Sequence, residues 1–167
     1  MVIPEGLGRL AAAGRGALIV IVSVWLASCG TFAKTPMGVS DSGLLKPCPQ
    51  APRCVSSVAA NAERRVAALQ LREASQGAWE SLLQTLDAMS RTVLVEQQPH
   101  YVRAEITSPW GVYTDDLELL RETDSTTIHI RSSSRIGYYD FNVNRERVEA
   151  LRAAGVKAGI LHEDGNG

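Results

Sequence analysis

TVLVEQQPHYVRAEITSPWGVYTDDLELLRETDSTTIHIRS, Thr92 to Ser132, is the stretch on which the fold turns. It holds four short runs rich in β-branched and aromatic residues: TVLVEQ (92–97), YVRAEIT (101–107), VYTDDLELL (112–120) and TTIHIRS (126–132). The connectors carry Gln-Pro, Ser-Pro-Trp-Gly and Arg-Glu-Thr-Asp-Ser, which punctuate strands. Connections this short join antiparallel neighbours, so the runs predict a four-stranded meander. Alternation places Val93, Val95, Val102, Ala104, Ile106, Tyr113, Leu117, Leu119, Ile128 and Ile130 on one side of that sheet. Upstream, Ser75 is the expected N-cap of a helix over 76–89, where Trp79, Leu82, Leu83, Leu86 and Met89 recur at helical offsets. Downstream, a second helix is expected over 144–154, with Val148 and Leu151 inward and Gly155 as its stop. The expected fold class is α+β: a four-stranded antiparallel meander sheet with an N-terminal and a C-terminal helix packed on one face. Residues 59–71 have helix-forming composition but no helical stripe, and no element is assigned to them.

The polar residues of the same stretch divide between the two faces. The connector lengths suggest a register in which Arg103 and Arg131 both lie opposite Asp116, and Glu118 lies opposite His129. Such a row is a common decoration of a solvated sheet face, where each exposed pair contributes roughly 0–1 kcal/mol. The functional alternative is an anion site between Arg103 and Arg131. Asp115 alternates onto the apolar side, where a carboxylate is costly unless paired. The richest group of donors follows the fourth run, in RSSSRIGYYDFNVNR (131–145): Ser132, Ser134, Arg135, Tyr138, Asn144 and Arg145. Arg135 is the expected partner of Asp115, because a guanidinium fork matches a carboxylate. Asp140 is placed to cap or pair at the start of the last helix. This segment therefore reads as a polar network rather than a reactive site.

The 167 residues suffice for one domain with a core, and 45% apolar with 21% charged residues is ordinary globular composition. Residues 1–29 stand apart. Arg9 and Arg15 precede ALIVIVSVWLA (17–27), an uncharged run too short to cross about 30 Å of hydrocarbon as a helix but long enough for a signal-peptide apolar region. It ends in LASC (26–29), which resembles the lipobox of bacterial lipoproteins. The resemblance implies cleavage before Cys29, a diacylglyceryl group on its thiol and acylation of its new amine. Two or more acyl chains make attachment stable. Gly30, rather than Asp, after the cysteine implies passage to the outer membrane. The expected organisation is a signal peptide over 1–28, a flexible tether over 29–45 (the alternative being a packed N-terminal arm), a single globular domain over 46–156 and a tail over 157–167. With Cys29 lipidated, Cys48 and Cys54 of CPQAPRC remain, and a disulfide is expected in an oxidising periplasm. A metal pair is the alternative, but no second Cys or His pair completes four ligands.

CPQAPRCVSS (48–57), YTDDLEL (113–119) and RSSSRIGYYDFNVNRERVEALR (131–152) resemble, in order and spacing, three signature stretches of a bacterial and plastid family known as domain of unknown function 1499. The resemblance covers residues 45–154. It implies that Cys48, Cys54, Asp115, Asp116, Glu118, Arg131, Ser134, Arg135, Asp140, Asn144 and Arg145 are signature positions. Asn142 stands where the family pattern has glycine. The family implies no activity.

Net charge is −1, which leaves no electrostatic footprint for nucleic acid. No Gly-x-Ser-x-Gly elbow surrounds the serines, and His100, His129 and His162 form no His-Glu-x-x-His motif. Asp115 and Asp116 point to opposite faces of a regular strand, so they and Glu118 converge on a cation only through a bulge. No cofactor or metal is expected. The expectation is a domain on the periplasmic face of the bacterial envelope, bound to membrane through lipidated Cys29 and serving as a binding or structural accessory module. An envelope protein is its candidate partner. The alternatives are a carrier of an acyl or other apolar ligand between helix and sheet, and a hydrolase using Asp115 and the 131–145 loop. Trp110, beside Pro109 at a hairpin tip, either touches a partner or lipid or packs over the sheet end.

Overall fold

A computed structural model describes residues 35–163; the expected signal peptide, Cys29 and the tether up to Lys34 lie outside the described residues, as does the end of the tail. In chain order the described elements are β1 (Cys54–Ser56), a 3-10 turn (Ala62–Arg64), β2 (Leu69–Gln70), α1 (Gln76–Asp87), β3 (Thr92–Gln97), β4 (Tyr101–Thr107), β5 (Thr114–Arg121), β6 (Thr127–Ser134) and α2 (Val143–Lys157). The four expected runs form the meander β3–β6. The antiparallel sheet has six strands rather than four, because β1 and β2 both add to the outer edge of β6. They pair with successive stretches of it, so together they act as one edge strand interrupted by an excursion over residues 57–68. With three and two residues, they are too short to carry an alternation that sequence can reveal.

The class is α+β, and one face of the sheet carries the main core. Ser75 Oγ accepts the Ala78 N–H at 3.1 Å, satisfying one of the orphan donors at the start of α1. Trp79, Leu82 and Leu86 of α1 then join Val148 and Leu151 of α2 in a single buried cluster with Val102, Ala104, Ile106, Leu117, Leu119, Ile128 and Ile130. Three residues expected on that face lie elsewhere. Val93 and Val95 are 60% and 41% exposed, because β3 pairs Thr92 with Ile106 and Leu94 with Ala104, and then bulges at Val95. Thr92 and Leu94 therefore share the inward face, and after the bulge the parity reverses, so that Glu96 lies beside Arg103 on the other face. Tyr113 belongs to the loop before β5 and is exposed.

Gly155 does not stop α2. It lies inside the helix, where an added Cβ would come within 2.6 Å of Leu161 Cδ1, so glycine there permits the returning chain to pack close. The helix ends at Gly159, whose φ is +72°. Its N–H donates to Val156 O and the Ile160 N–H donates to Gly155 O, both at 2.9 Å, which is the Schellman pattern.

The second face of the sheet is covered, not solvated. Residues 35–45, expected as part of a flexible tether, run across it. Pro36 O accepts from Arg131 Nη2 at 2.9 Å, and the Gly38 N–H donates to Glu118 Oε1. Leu45 packs with Tyr101 and Leu120 in a small second core. Just beyond, Cys48 and Cys54 form a disulfide with Cα atoms 5.6 Å apart, tying this arm to β1. Among the described residues, no helix is long and apolar enough to cross a membrane.

Candidate functional site

The loop between β4 and β5 covers residues 108–113, two residues longer than expected, and the true register follows from it. Arg103 lies opposite Glu118 and Glu105 opposite Asp116. Across the next pair, Glu118 lies opposite Arg131 and Asp116 opposite Ser133, so neither Arg103 nor Arg131 is the direct partner of Asp116, and Glu118 does not face His129. An even-numbered offset leaves every side chain on its expected face and changes only whom it meets.

Under the arm, Asp116, Glu118 and Arg131 are fully buried. Glu118 accepts from Arg131, from the Tyr101 hydroxyl at 2.8 Å and from the Gly38 N–H. Asp116 receives the fork of Arg135, with Nε to Oδ2 and Nη2 to Oδ1 both at 2.8 Å. Arg103 reaches the same carboxylate diagonally, at 3.0 Å. Glu105 closes the cluster by accepting from Arg103 at 3.1 Å and from Arg135. Arg103, Arg131 and Arg135 thus balance Glu105, Asp116 and Glu118 one for one, which is what buried charge requires.

The electrostatics fit a closed cluster. Burial, reinforced by the negative charge of Glu118, pushes the Tyr101 hydroxyl far above its usual range. The hydrogen bonds that Arg135 donates to Asp116 and then to Glu105 raise its pKa against the opposing effect of burial. Burial also pulls Arg103 down, but its bonds to Asp116 and Glu105 outweigh that and leave it raised. The hydrogen bond from Arg135 holds the Glu105 carboxyl below the ordinary carboxylate range.

On the helix side, Asp115 is buried as expected, but its partner is Arg147 rather than Arg135, with Nη2 to Oδ2 at 2.7 Å. Arg135 is committed to the Asp116 side of the strand and cannot serve both faces. Arg147 Nη1 also donates to Ser132 Oγ at 3.0 Å and Asn144 Oδ1 at 2.7 Å. Asn144 is fully buried; its Nδ2 donates to Arg53 O at 3.0 Å, Ser134 Oγ at 2.9 Å and Asp140 Oδ2 at 2.8 Å. Asp140 caps α2, accepting the N–H groups of Asn142 at 3.2 Å and Asn144 at 3.3 Å. Asn142 itself has φ +69°, the left-handed region where glycine is free and Asn among the better tolerated alternatives.

Two expected members stay outside this network. Tyr138 is exposed, and none of these hydrogen bonds is its own. Arg145 turns to the 57–68 excursion, donating to Glu63 O at 2.7 Å and Arg65 O at 3.1 Å. It borders a cleft of about 270 Å³ shared with Cys54, Arg64, Tyr139 and Asp140. Arg64 likewise donates to main-chain oxygens, those of Pro49 and Gln50.

Sequence reading missed Arg147, Glu105 and Tyr101, and it ranked the covering arm second to a flexible tether. Arg147 is detectable in principle, since it stands one turn from Asn144 and beside Val148 on a helix start. Glu105 and Tyr101 share the parity of Arg103. The arm is aperiodic and gives no signal.

A serine, histidine and glutamate also meet away from these residues. Ser57 Oγ lies 3.3 Å from His129 Nδ1, and His129 Nε2 lies 2.8 Å from Glu122 Oε1. The order suits nucleophilic catalysis, but among the described residues the main-chain N–H groups beside Ser57 are already engaged and are not free for a developing oxyanion. The Ser57 N–H donates to Ile130 O, the Val58 N–H to Ser56 Oγ and the Ala59 N–H to Ser56 O. Ser57 Oγ itself already accepts the Ile130 N–H at 3.0 Å.

No curated protein matches the chain. A family model described as Protein of unknown function (DUF1499) matches residues 44–154, and the chain belongs to that family.

Proposed function

We propose that the chain is a lipid-anchored domain of the bacterial envelope, held through Cys29 on the periplasmic face of the outer membrane, and that it acts there as a binding or structural accessory module. The observation that carries the module reading is the pairing of each strand carboxylate with an arginine, although Arg131 Nε and Ser133 Oγ are buried without a hydrogen-bond partner. Each of Asp115, Asp116 and Glu118 is held by at least one guanidinium, and no hydrogen bond joins any of them to a serine hydroxyl among the described residues. A general base needs a proton within reach to take, and the hydrogen-bond donors on these carboxylates are arginines, the Tyr101 hydroxyl and a main-chain N–H. The hydrolase reading is disfavoured on that ground, and also by the engaged amides around Ser57. The carrier reading is disfavoured because Trp79, Leu82 and Leu86 fill the space between helix and sheet that an acyl chain would need. Support for the anchor comes from the uncharged 17–27 run followed by LASC.

The test uses the full chain made in a bacterial host. Wild type is expected to begin at Cys29 with acyl groups attached, by mass spectrometry, and to fractionate with membranes. Cys29→Ser is expected to retain its leader. A Cys29→Ser protein that matures normally would refute the anchor.

A further inference from the structure

The register places two exposed loops at one end of the sheet. Thr107 lies opposite Thr114, and Asp115 lies opposite Ser134, so the 108–113 turn and the 135–142 loop leave from the same end. Aromatic residues sort by that end. Among the described residues, Trp79 and Tyr101 are buried, whereas Trp110, Tyr113, Tyr138, Tyr139 and Phe141 are exposed, and all five lie in or beside these loops. Val112 and Ile136 are exposed beside them. Neither 108–113 nor 136–139 contains a charged residue. Trp110 is 89% exposed and Phe141 81%. Phe141 also has φ +54°, which a bulky residue adopts at a cost, and its ring meets Tyr139 edge-on at 5.2 Å. Exposed aromatic clusters of this kind mark contact surfaces, and Trp and Tyr suit the layer between headgroups and acyl chains.

What identifies the occupant is where the chain enters. Thr35 is buried and donates through Oγ1 to Ser134 O at 3.5 Å, so the described chain begins at the aromatic end. The steps from Cys29 to Thr35 span at most about 20 Å of extended backbone. A lipid on Cys29 would therefore hold this end, rather than the Tyr101–Leu120 end, toward the membrane. We infer that Trp110, Val112, Tyr113, Ile136, Tyr138 and Phe141 seat the domain in the interfacial layer of the phospholipid bilayer to which Cys29 ties it. The inference rests on the anchor reading.

The test takes the full chain as the cell processes it and reconstitutes it into phosphatidylethanolamine–phosphatidylglycerol vesicles, with and without bromine on the acyl chains. On this inference brominated lipid quenches tryptophan emission, and Trp110→Phe loses that quenching because the Trp79 indole is buried. Acylated protein that floats with the vesicles but is not quenched overturns the seating alone; Cys29 found without acyl groups overturns both readings. Crosslinks from the rim to an envelope protein in place of quenching would also overturn it. Phe141→Gly separates seating from folding. It should raise the melting temperature by relieving the backbone and reduce quenching, whereas a lower melting temperature with full quenching would make the ring structural and overturn its part.

Discussion

Asp115 and Asp116 are chain neighbours with separate surroundings, because a strand sends successive side chains to opposite faces. The first meets Arg147 beneath α2, the second meets Arg103 and Arg135 under the arm. Asp115→Asn leaves the largely covered Arg147 guanidinium without its counter-charge, and a loss of about 3 kcal/mol is expected in urea or thermal melts. A hydrolase would instead lose an activity with its melting unchanged. That Asp115 needed a partner is legible from alternation alone. Which arginine supplies it is not, because the choice depends on how α2 lies over β6. A second prediction concerns Glu105. Its carboxyl is held below its ordinary value in the folded state, first by Arg135, so it favours folding above the unfolded pKa of about 4.3. That contribution is lost as pH falls through the folded value. Melting temperature should drop as the medium is acidified from about pH 5 to about pH 3, and Glu105→Gln should show a shallower drop. Arg103 and Arg135, both raised, stay charged throughout and add no slope.

Among the elements, α1 and the parity of β4–β6 are the most legible. The helix shows a clear apolar stripe behind a serine cap, and the strands alternate cleanly. Partner identities across the sheet were less so, because loop ends cannot be read to the residue: Val112 and Tyr113 look like strand and belong to the turn. The end of α2 shows the same limit. Gly155 and Gly159 are both plausible stops by composition. The choice is made by Leu161, which returns to bridge Leu71 and presses on Gly155. Gly155→Ala should therefore destabilise the fold by roughly 1–3 kcal/mol, although alanine is the better helix former. Pairing it with Leu161→Ala should recover part of the local clash, which a double-mutant cycle by chemical denaturation would show.

Across the whole molecule, helices close one face of the sheet and an irregular arm closes the other. The ionic cluster is buried by chain that has no periodicity, so nothing in the sequence distinguishes that covering from a tether. The disulfide fixes where the arm rejoins the sheet. Its ring is short, with a sequence separation of 6, so chain-entropy reasoning gives it about 2 kcal/mol. A reductant should lower the denaturant midpoint by a corresponding amount while the protein remains folded, since the main apolar cluster contains neither cysteine.

The bulge at Val95 has a consequence for self-association. β3 is the outermost strand on its side of the sheet, and an outermost strand is an inviting template on which another molecule of the same protein can zip itself. The extra residue breaks the ladder there and increases the local twist, and Glu96 follows immediately. A second copy approaching that flank meets a broken run of amides and carbonyls, which makes this edge a poor template for extending the sheet.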